Sequence, residues 1–255
     1  LVRSAVAETQ PVMMNPSVSF TAEAFLASTS FLRSDKKFTA LVPTQLSRLA
    51  IAAQHDASVL QALQSYSAIL VGGQATAPAL LAELRQQKVN VIETYGAAET
   101  FGGVVYDGVA LAGVEVSLDS ESRIQISSLA GKFQSNDLGE IVDGKLHVLG
   151  RSDRVINSGG IKVSLDRVEA IAREVAGVVE MVAAPITDRE WGQRVGVIYL
   201  GSPEVAEEIA TQLADLLGPA AKPLRVLRVD LVPKLSNGKY DLLAAAEIFK
   251  KDHND

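Results

Sequence analysis

The chain has 255 residues, enough for two domains and a sizeable core. Apolar residues make up 47% of it and charged residues 21%, as in ordinary globular proteins, and the formal net charge is −6. The lack of any basic block argues against a nucleic-acid partner, no apolar run approaches the ~20 residues that span a bilayer, and the absence of cysteine removes disulfides, thiolate nucleophiles and Cys-bound metals together.

A Cys-free chain fits a reducing, cytoplasmic setting. The three histidines, at 55, 147 and 253, are too scattered to suggest a metal cluster. The chain opens at Leu1 inside an amphipathic pattern, with no initiator Met and no signal-peptide pattern, so a fragment or a chain whose beginning was removed is expected.

Residues 1–8 read as the tail of a helix, and residues 11–14 as a short apolar strand. Residues 20–32 carry Phe25, Leu26 and Phe31 near helical spacing, and residues 38–42 read as a strand. Pro43-Thr44 then predicts a helix start with Thr44 as N-cap and Leu46, Leu49, Ala50 and Ala53 on one face. A buried strand over 67–71 ends in Gly72-Gly73. Thr76-Ala77-Pro78 starts a helix with Leu80, Leu81 and Leu84 inward, and residues 89–92 form the next strand. This alternation predicts a parallel sheet with covering helices. Ligands of such sheets sit beyond the carboxyl ends of the strands, where Gly72-Gly73 and Tyr95-Gly96 fall.

From about 101 to 149 the period shortens. Alternating runs at 114–118, 123–126 and 140–142 are separated by turn signals such as Ala130-Gly131 and Asp143-Gly144, with Asp107-Gly108 ahead of the first. Asp143-Gly144, flanked by Ile141, Val142, Leu146 and Val148, is a strong type I′ hairpin signal. A polar joint follows at residues 150–154. Beyond it lie a helix at 165–175 opened by Ser164, strands near 178–184 and 194–200, a helix at 204–217, a strand near 225–231 and a helix from Leu242. The fold expected is therefore α/β plus α+β: a parallel sheet with helices, a small antiparallel β unit, a hinge, then a compact α+β C-terminal domain. The domains expected are 1–150, a partial large domain with the small β unit at about 101–149, and 151–255, a mobile lid.

Four clusters carry candidate chemistry. Gly72-Gly73-Gln74 lets a flat ligand approach the backbone, although a helix-initiating turn is the commoner use of such a pair. In Thr94-Tyr95-Gly96-Ala97-Ala98-Glu99-Thr100 the aromatic can stack on a base and Glu99 can hold Mg²⁺, although an isolated Glu is more often just solvated. Asp137, after Ser135-Asn136, reads as a loop carboxylate able to accept from two sugar hydroxyls; alone, an ordinary Asx turn is the better reading. Pro233-Lys234-Leu235-Ser236-Asn237-Gly238-Lys239 places Lys239 after an Asn-Gly hairpin tip and is not a phosphate-cradling P-loop.

In this order the clusters resemble the adenylate-forming superfamily of acyl-CoA synthetases, peptide-synthetase adenylation domains and luciferases. Tyr95-Gly96-x-x-Glu99 is similar to its aromatic-Gly-x-Thr-Glu motif, and Ser135-Asn136-Asp137 to its Thr-Gly-Asp. Gly150-Arg151-Ser152-Asp153, with Ile156 and Gly159-Gly160, is similar to its Gly-Arg-x-Asp hinge signature, and residues 233–239 to its Pro-Lys-x-x-x-Gly-Lys motif. The match runs from about Val71 to Lys239. Residues 41–46, 69–73 and 104–108 look most like the o-succinylbenzoate–CoA ligase branch.

The resemblance implies that a small-molecule carboxylate is activated with ATP and Mg²⁺ and then passed from the acyl-adenylate to CoA, in menaquinone biosynthesis if the branch holds. It implies Lys239 as the catalytic charge. Gly72, Gly73, Gln74, Tyr95, Asp137 and Arg151 would bind nucleotide, with Glu99 on the metal. Asp153 would be the hinge, Gly159 and Gly160 would meet CoA, and Phe101, Gly102 and Gly103 would line the acyl pocket. Ala98 departs from the family's Thr or Ser, Asn136 from its Gly, and Leu242 from a frequent Arg. The Ser/Thr/Gly-rich phosphate loop and the first large subdomain have no counterpart here. The 255 residues alone are therefore expected to show little turnover, and the face that subdomain would cover is a candidate surface for a homo-oligomer. Two alternatives stay open: a truncated or degenerate nucleotide-binding relative without catalysis, and a synthetase for another aromatic or fatty acid.

Overall fold

A computed structural model describes residues 2–14, 18–235 and 239–251. Contacts divide the chain into two compact units, Leu1–Ala112 and Gly113–Asp255.

The first unit begins with α1 (Val2–Val6) and α2 (Ala22–Ser30). Thr21 caps α2, its hydroxyl accepting the Ala24 N–H at 3.2 Å. β1 (Phe38–Leu41) leads into α3 (Pro43–Ala53). The N-cap of α3 is Val42, not the expected Thr44. Pro43 takes the first helical position, where its missing N–H costs nothing, and the Gln45 side chain accepts the Val42 N–H at 3.1 Å. α4 (Ala57–Gln64) was not anticipated. Asp56 caps it, accepting the Ser58 N–H at 2.8 Å, and Val59 and Leu63 anchor it in the core.

β2 (Ala68–Gly72), α5 (Pro78–Gln86), β3 (Val91–Ala97), β4 (Gly102–Tyr106) and β5 (Val109–Ala110) complete the unit. The sheet order is β1-β2-β3-β4-β5, parallel from β1 to β3 and antiparallel thereafter. Residues expected to open a separate β unit at about 101 thus extend the first sheet. Asp107 (φ 46°) and Gly108 (φ 80°) form the two-residue turn that keeps β5 on β4. The strand expected at 11–14 does not form: these residues pair with no strand among the described residues and are largely exposed. A strand needs a neighbouring ladder as well as apolar side chains. Leu46, Leu49, Leu63, Ile69 and Leu84 are fully buried between sheet and helices.

In the second unit, β6 (Glu115–Leu118), β7 (Arg123–Ser128), β8 (Gly131–Val142) and β9 (Lys145–Arg151) form an antiparallel meander in chain order. Asp143 (φ 52°) and Gly144 (φ 74°) make the type I′ turn that their sequence predicts. β10 (Val155–Ser158) and β11 (Ile161–Ser164) form a second such hairpin around Gly159 and Gly160. α6 (Leu165–Ala172) follows, capped by Ser164, whose hydroxyl accepts the Arg167 N–H. Then come β12 (Val178–Asp188), β13 (Gly192–Gly201), α7 (Ala206–Leu217), β14 (Arg225–Arg228) and α8 (Leu242–Lys251).

The second sheet of this unit has the order β11-β10-β13-β12, with β14 parallel to β13. Alternation along β12 divides its core. Met181 and Ala183 pack with Val168, Ile209 and Leu213 on the α6–α7 side, whereas Val182 and Ala184 pack with Ala245 and Phe249 of α8. The architecture is the mixed α/β and α+β type expected from the sequence. No helix among the described residues is long and apolar enough to cross a membrane.

Candidate active site

The structure gathers the candidate residues into two groups, one in each unit. In the first, Gly72 ends β2 and pairs with Thr94 of β3. A Cβ at Gly72 would fall 2.5 Å from the Thr94 hydroxyl, which itself donates to the Val71 carbonyl at 3.2 Å. Gly73 has φ 87° and Gln74 is exposed. Tyr95 lies inside β3 opposite Val105, not past a strand end, because β3 runs on to Ala97. It can do so because Gly96 has no side chain: a Cβ there would sit 2.0 Å from the Gly102 carbonyl oxygen. Gly103 lies against Thr94. Gly72, Tyr95, Gly102 and Gly103 therefore share one end of one sheet.

Ala98–Thr100 forms a single 3₁₀ turn that exposes Glu99. The Thr100 hydroxyl accepts the Ala97 N–H at 2.8 Å and lies 3.0 and 2.8 Å from the Ala97 and Gly102 carbonyls. Its one hydrogen is already engaged within the loop. Phe101, at φ 58°, is 89% exposed on this unit.

In the second unit Asp137 sits within β8 and pairs with Arg151 of β9, rather than in the loop its Ser-Asn context suggests. Its N–H donates to the Ser135 hydroxyl at 2.8 Å. Arg151 Nη1 lies 3.3 Å from Asp137 Oδ1, while Nε and Nη2 grip both oxygens of Asp153 at 2.8 and 2.6 Å. That grip holds the Asp153 carboxyl below, and the Arg151 guanidinium above, its ordinary value. Asp153 lies in a 3₁₀ turn, Ser152–Arg154, directly after β9.

Lys239 is exposed on a hairpin stem: the Leu235 N–H donates to the Lys239 carbonyl at 2.8 Å, Lys234 bridges to Tyr240, and the Asp241 N–H donates to the Pro233 carbonyl at 3.0 Å. The expected Asn237-Gly238 tip lies outside the described residues. The Tyr240 ring has the Lys234 ammonium 5.7 Å and the Arg173 guanidinium 5.8 Å from its centre, and Lys234 also meets Glu180 at 2.6 Å. Burial raises the Tyr240 phenol above its usual value, partly offset by Arg173.

Gly159 donates its N–H to the Trp191 carbonyl at 3.0 Å, and a Cβ at Gly159 would meet the Trp191 ring at 2.7 Å. Asp188 holds the Trp191 turn by accepting the N–H groups of Glu190 and Trp191, and Arg194 lies 5.4 Å from the ring centre.

Sequence reasoning missed a buried charge network behind the joint. β12 is an outer strand of its sheet. The backbone groups of Ala183 are met by side chains: Glu169 Oε1 accepts the N–H at 3.0 Å and Arg154 donates to the carbonyl at 3.3 Å. Arg173 approaches the Met181 carbonyl at 3.4 Å. Glu169, 6% exposed, is paired with both Arg154 and Arg173. The Glu169–Arg173 spacing of four on a helix was the one readable signal.

An AMP-binding enzyme C-terminal domain family matches residues 167–239. A probable 2-succinylbenzoate–CoA ligase of Mycobacterium tuberculosis (strain ATCC 25618 / H37Rv) is 32% identical over 98% of the chain and 70% of its own length. The 2-succinylbenzoate–CoA ligase of Escherichia coli (strain K12) is 30% identical over 78% of the chain and 47% of its own. Among solved structures, the amide bond synthetase McbA from Marinactinospora thermotolerans matches with a TM-score of 0.78 at 21% identity, over 91% of this chain and 55% of that one. The o-succinylbenzoate CoA synthetase (MenE) from Bacillus subtilis, in complex with the acyl-adenylate intermediate OSB-AMP, matches with a TM-score of 0.76 at 21% identity, over 89% and 54%. The two structural matches bear on the fold. The chain spans about half the length of those solved chains and of the E. coli ligase.

Proposed function

The chain belongs to the adenylate-forming, AMP-binding family of acid–CoA ligases, and from that premise we propose that the complete protein converts o-succinylbenzoate, ATP and CoA into o-succinylbenzoyl-CoA. The likeness to the M. tuberculosis relative over 98% of the chain supports the substrate. The structural observation that carries the site is the Asp137–Arg151–Asp153 cluster, which ties a strand carboxylate to a joint.

The reaction has two steps. A carboxylate oxygen attacks the α-phosphorus of ATP and pyrophosphate leaves, giving the acyl-adenylate. The CoA sulfur then attacks the acyl carbon and AMP leaves. Neither step needs a nucleophile from the protein, which suits a chain without cysteine.

Asp137 accepts from both ribose hydroxyls, and Arg151 fixes its orientation. Gly72, Gly73 and Gln74 border the adenine and Tyr95 stacks on it. Lys239 brings one positive charge to the α-phosphate as negative charge gathers there. The part beyond Asp153 acts as a lid: it delivers Lys239 for the first step, then turns about Asp153 so that Gly159 and Gly160 border the CoA arm for the second. Phe101, Gly102 and Gly103 line the acyl pocket.

Glu99 is an exposed, lone carboxylate, and no group of three acid or histidine side chains placed to hold a metal ion occurs among the described residues. One carboxylate is a donor set that fits Mg²⁺, which keeps water and phosphate oxygens as its other ligands. Glu99 would hold the ion, which when bound supplies charge neutralisation at the phosphates.

A second reading draws on Ala98 and on the Thr100 hydroxyl, which is spent inside its own loop. Both weaken phosphate binding and favour a nucleotide-binding relative without catalysis. ATP–pyrophosphate exchange by the complete polypeptide separates the readings. Exchange that depends on o-succinylbenzoate supports the ligase. Nucleotide binding without exchange supports the second reading, and exchange only with another aromatic or fatty acid moves the substrate.

A further inference from the structure

Asp166 lies in the first turn of α6 and faces the chain on both sides of Asp153. Its Oδ2 accepts the Arg151 backbone N–H at 2.7 Å. Its Oδ1 lies 2.5 Å from Arg154 Nε, an ion pair rather than a hydrogen bond because the Nε–H does not aim at the oxygen. Gly150 makes room for this approach: at φ 131°, a Cβ there would fall 2.8 Å from Asp166 Oδ2 and 2.9 Å from Asp166 Cβ. The Arg154 side chain is only 13% exposed and is also paired with Glu169 of the same helix.

We propose that Asp166 is a positioning residue, a latch that holds the joint in this one of its two states. The inference rests on the lid reading above. Rotation about the Asp153 backbone carries Arg154, α6 and Asp166 together, because Asp166 and Glu169 both tie Arg154 to the helix. Arg151 stays with β9, which is paired to β8. Of the hydrogen bond and the ion pair made by Asp166, only the hydrogen bond, to the Arg151 N–H, crosses the pivot. Turning the lid must break it, while the ion pair to Arg154 survives. A hydrogen bond to a charged group is among the stronger kinds, enough to bias a two-state equilibrium by about tenfold or more.

The 255 residues contain no cysteine, so spin labels can be placed at Lys132→Cys on β8 and Glu207→Cys on α7 of the complete protein without background from this part. The distance distribution between them reports lid state without requiring turnover. Asp166→Ala removes the latch from the lid side. Gly150→Ala displaces it from the other side, and so serves if the first variant folds poorly. Both are expected to shift the populations in the same direction by about tenfold. Both should also change the ratio of adenylation rate to thioester-forming rate by a similar factor. Distance distributions identical to wild type in both variants would overturn the latch, as would an equal fall in the two half-reactions. A wild-type protein inactive in both half-reactions would refute the ligase reading instead, and the label distances would still decide the latch.

Discussion

Arg151 grips Asp153 through two nitrogens while its third reaches Asp137 on the neighbouring strand. Only a planar fork can serve two carboxylates in this way. Arg151→Lys keeps the charge and loses the fork. The KM for ATP is expected to rise about tenfold, equivalent to ~1.4 kcal/mol of binding. An unchanged KM would remove Arg151 from the nucleotide site.

Lys239→Ala should lower adenylation by at least about 10²-fold, as does the loss of a charge-stabilising donor elsewhere. Thioester formation from supplied acyl-adenylate should fall much less. The two rates are measured separately, by pyrophosphate exchange and by AMP release, and an equal loss in both would refute the role.

Tyr240 is the residue next to Lys239, and its ring is flanked by Arg173 and Lys234. Tyr240→Phe keeps the ring and should preserve adenylation within about twofold, whereas Tyr240→Ala removes the cationic contacts and should cost about tenfold, roughly two weak cation–π contacts. If Ala and Phe behave alike, the ring does not position the hairpin.

Asp119 provides a test against pH. Burial pushes its carboxyl up, but the Arg123 and Glu121 N–H groups, the Arg123 guanidinium and the Gln134 amide outweigh this and bring it down to about 2. The folded value lies below the unfolded value of ~3.9. The stabilisation is therefore complete above about pH 4 and is lost as pH falls through about 2. Urea midpoints of wild type and Asp119→Asn should differ at pH 6 and converge near pH 2. Parallel curves would exclude this carboxylate as a source of acid sensitivity.

Glu169→Gln should destabilise the second unit by about 2–3 kcal/mol, because Arg154 and Arg173 lose a buried counter-charge while Asp166 still faces Arg154. Trp191 is the chain's one tryptophan, so its fluorescence follows urea unfolding in this region. A midpoint equal to wild type would mean that the network contributes little.

Local chemistry was the part most legible in sequence. Asp143-Gly144 and Asp107-Gly108 dictate their turns because few residue pairs tolerate positive φ twice in succession. Ser164 and the apolar spacing after it fixed α6 for the same local reasons. α3 is capped two residues before Thr44 because proline at the first helical position outweighs a capping hydroxyl behind it. α4 is only 8 residues long, too short for its period to stand out. The charge network was hidden for another reason. Arg154 meets Glu169 15 residues on and Ala183 29 residues on, and only the folded sheet brings them together. Asp137 was picked out by its neighbours in sequence, but its partner Arg151 is supplied by strand pairing 14 residues away.

The side chains laid along β12 also bear on solubility. An outer strand offers N–H and C=O groups to any extended segment of another molecule. At Ala183 both groups, and at Met181 the carbonyl, are already taken by Arg154, Glu169 and Arg173. A substitution that strips this cover leaves a buried apolar strand with an open ladder, the geometry from which intermolecular β-stacking grows.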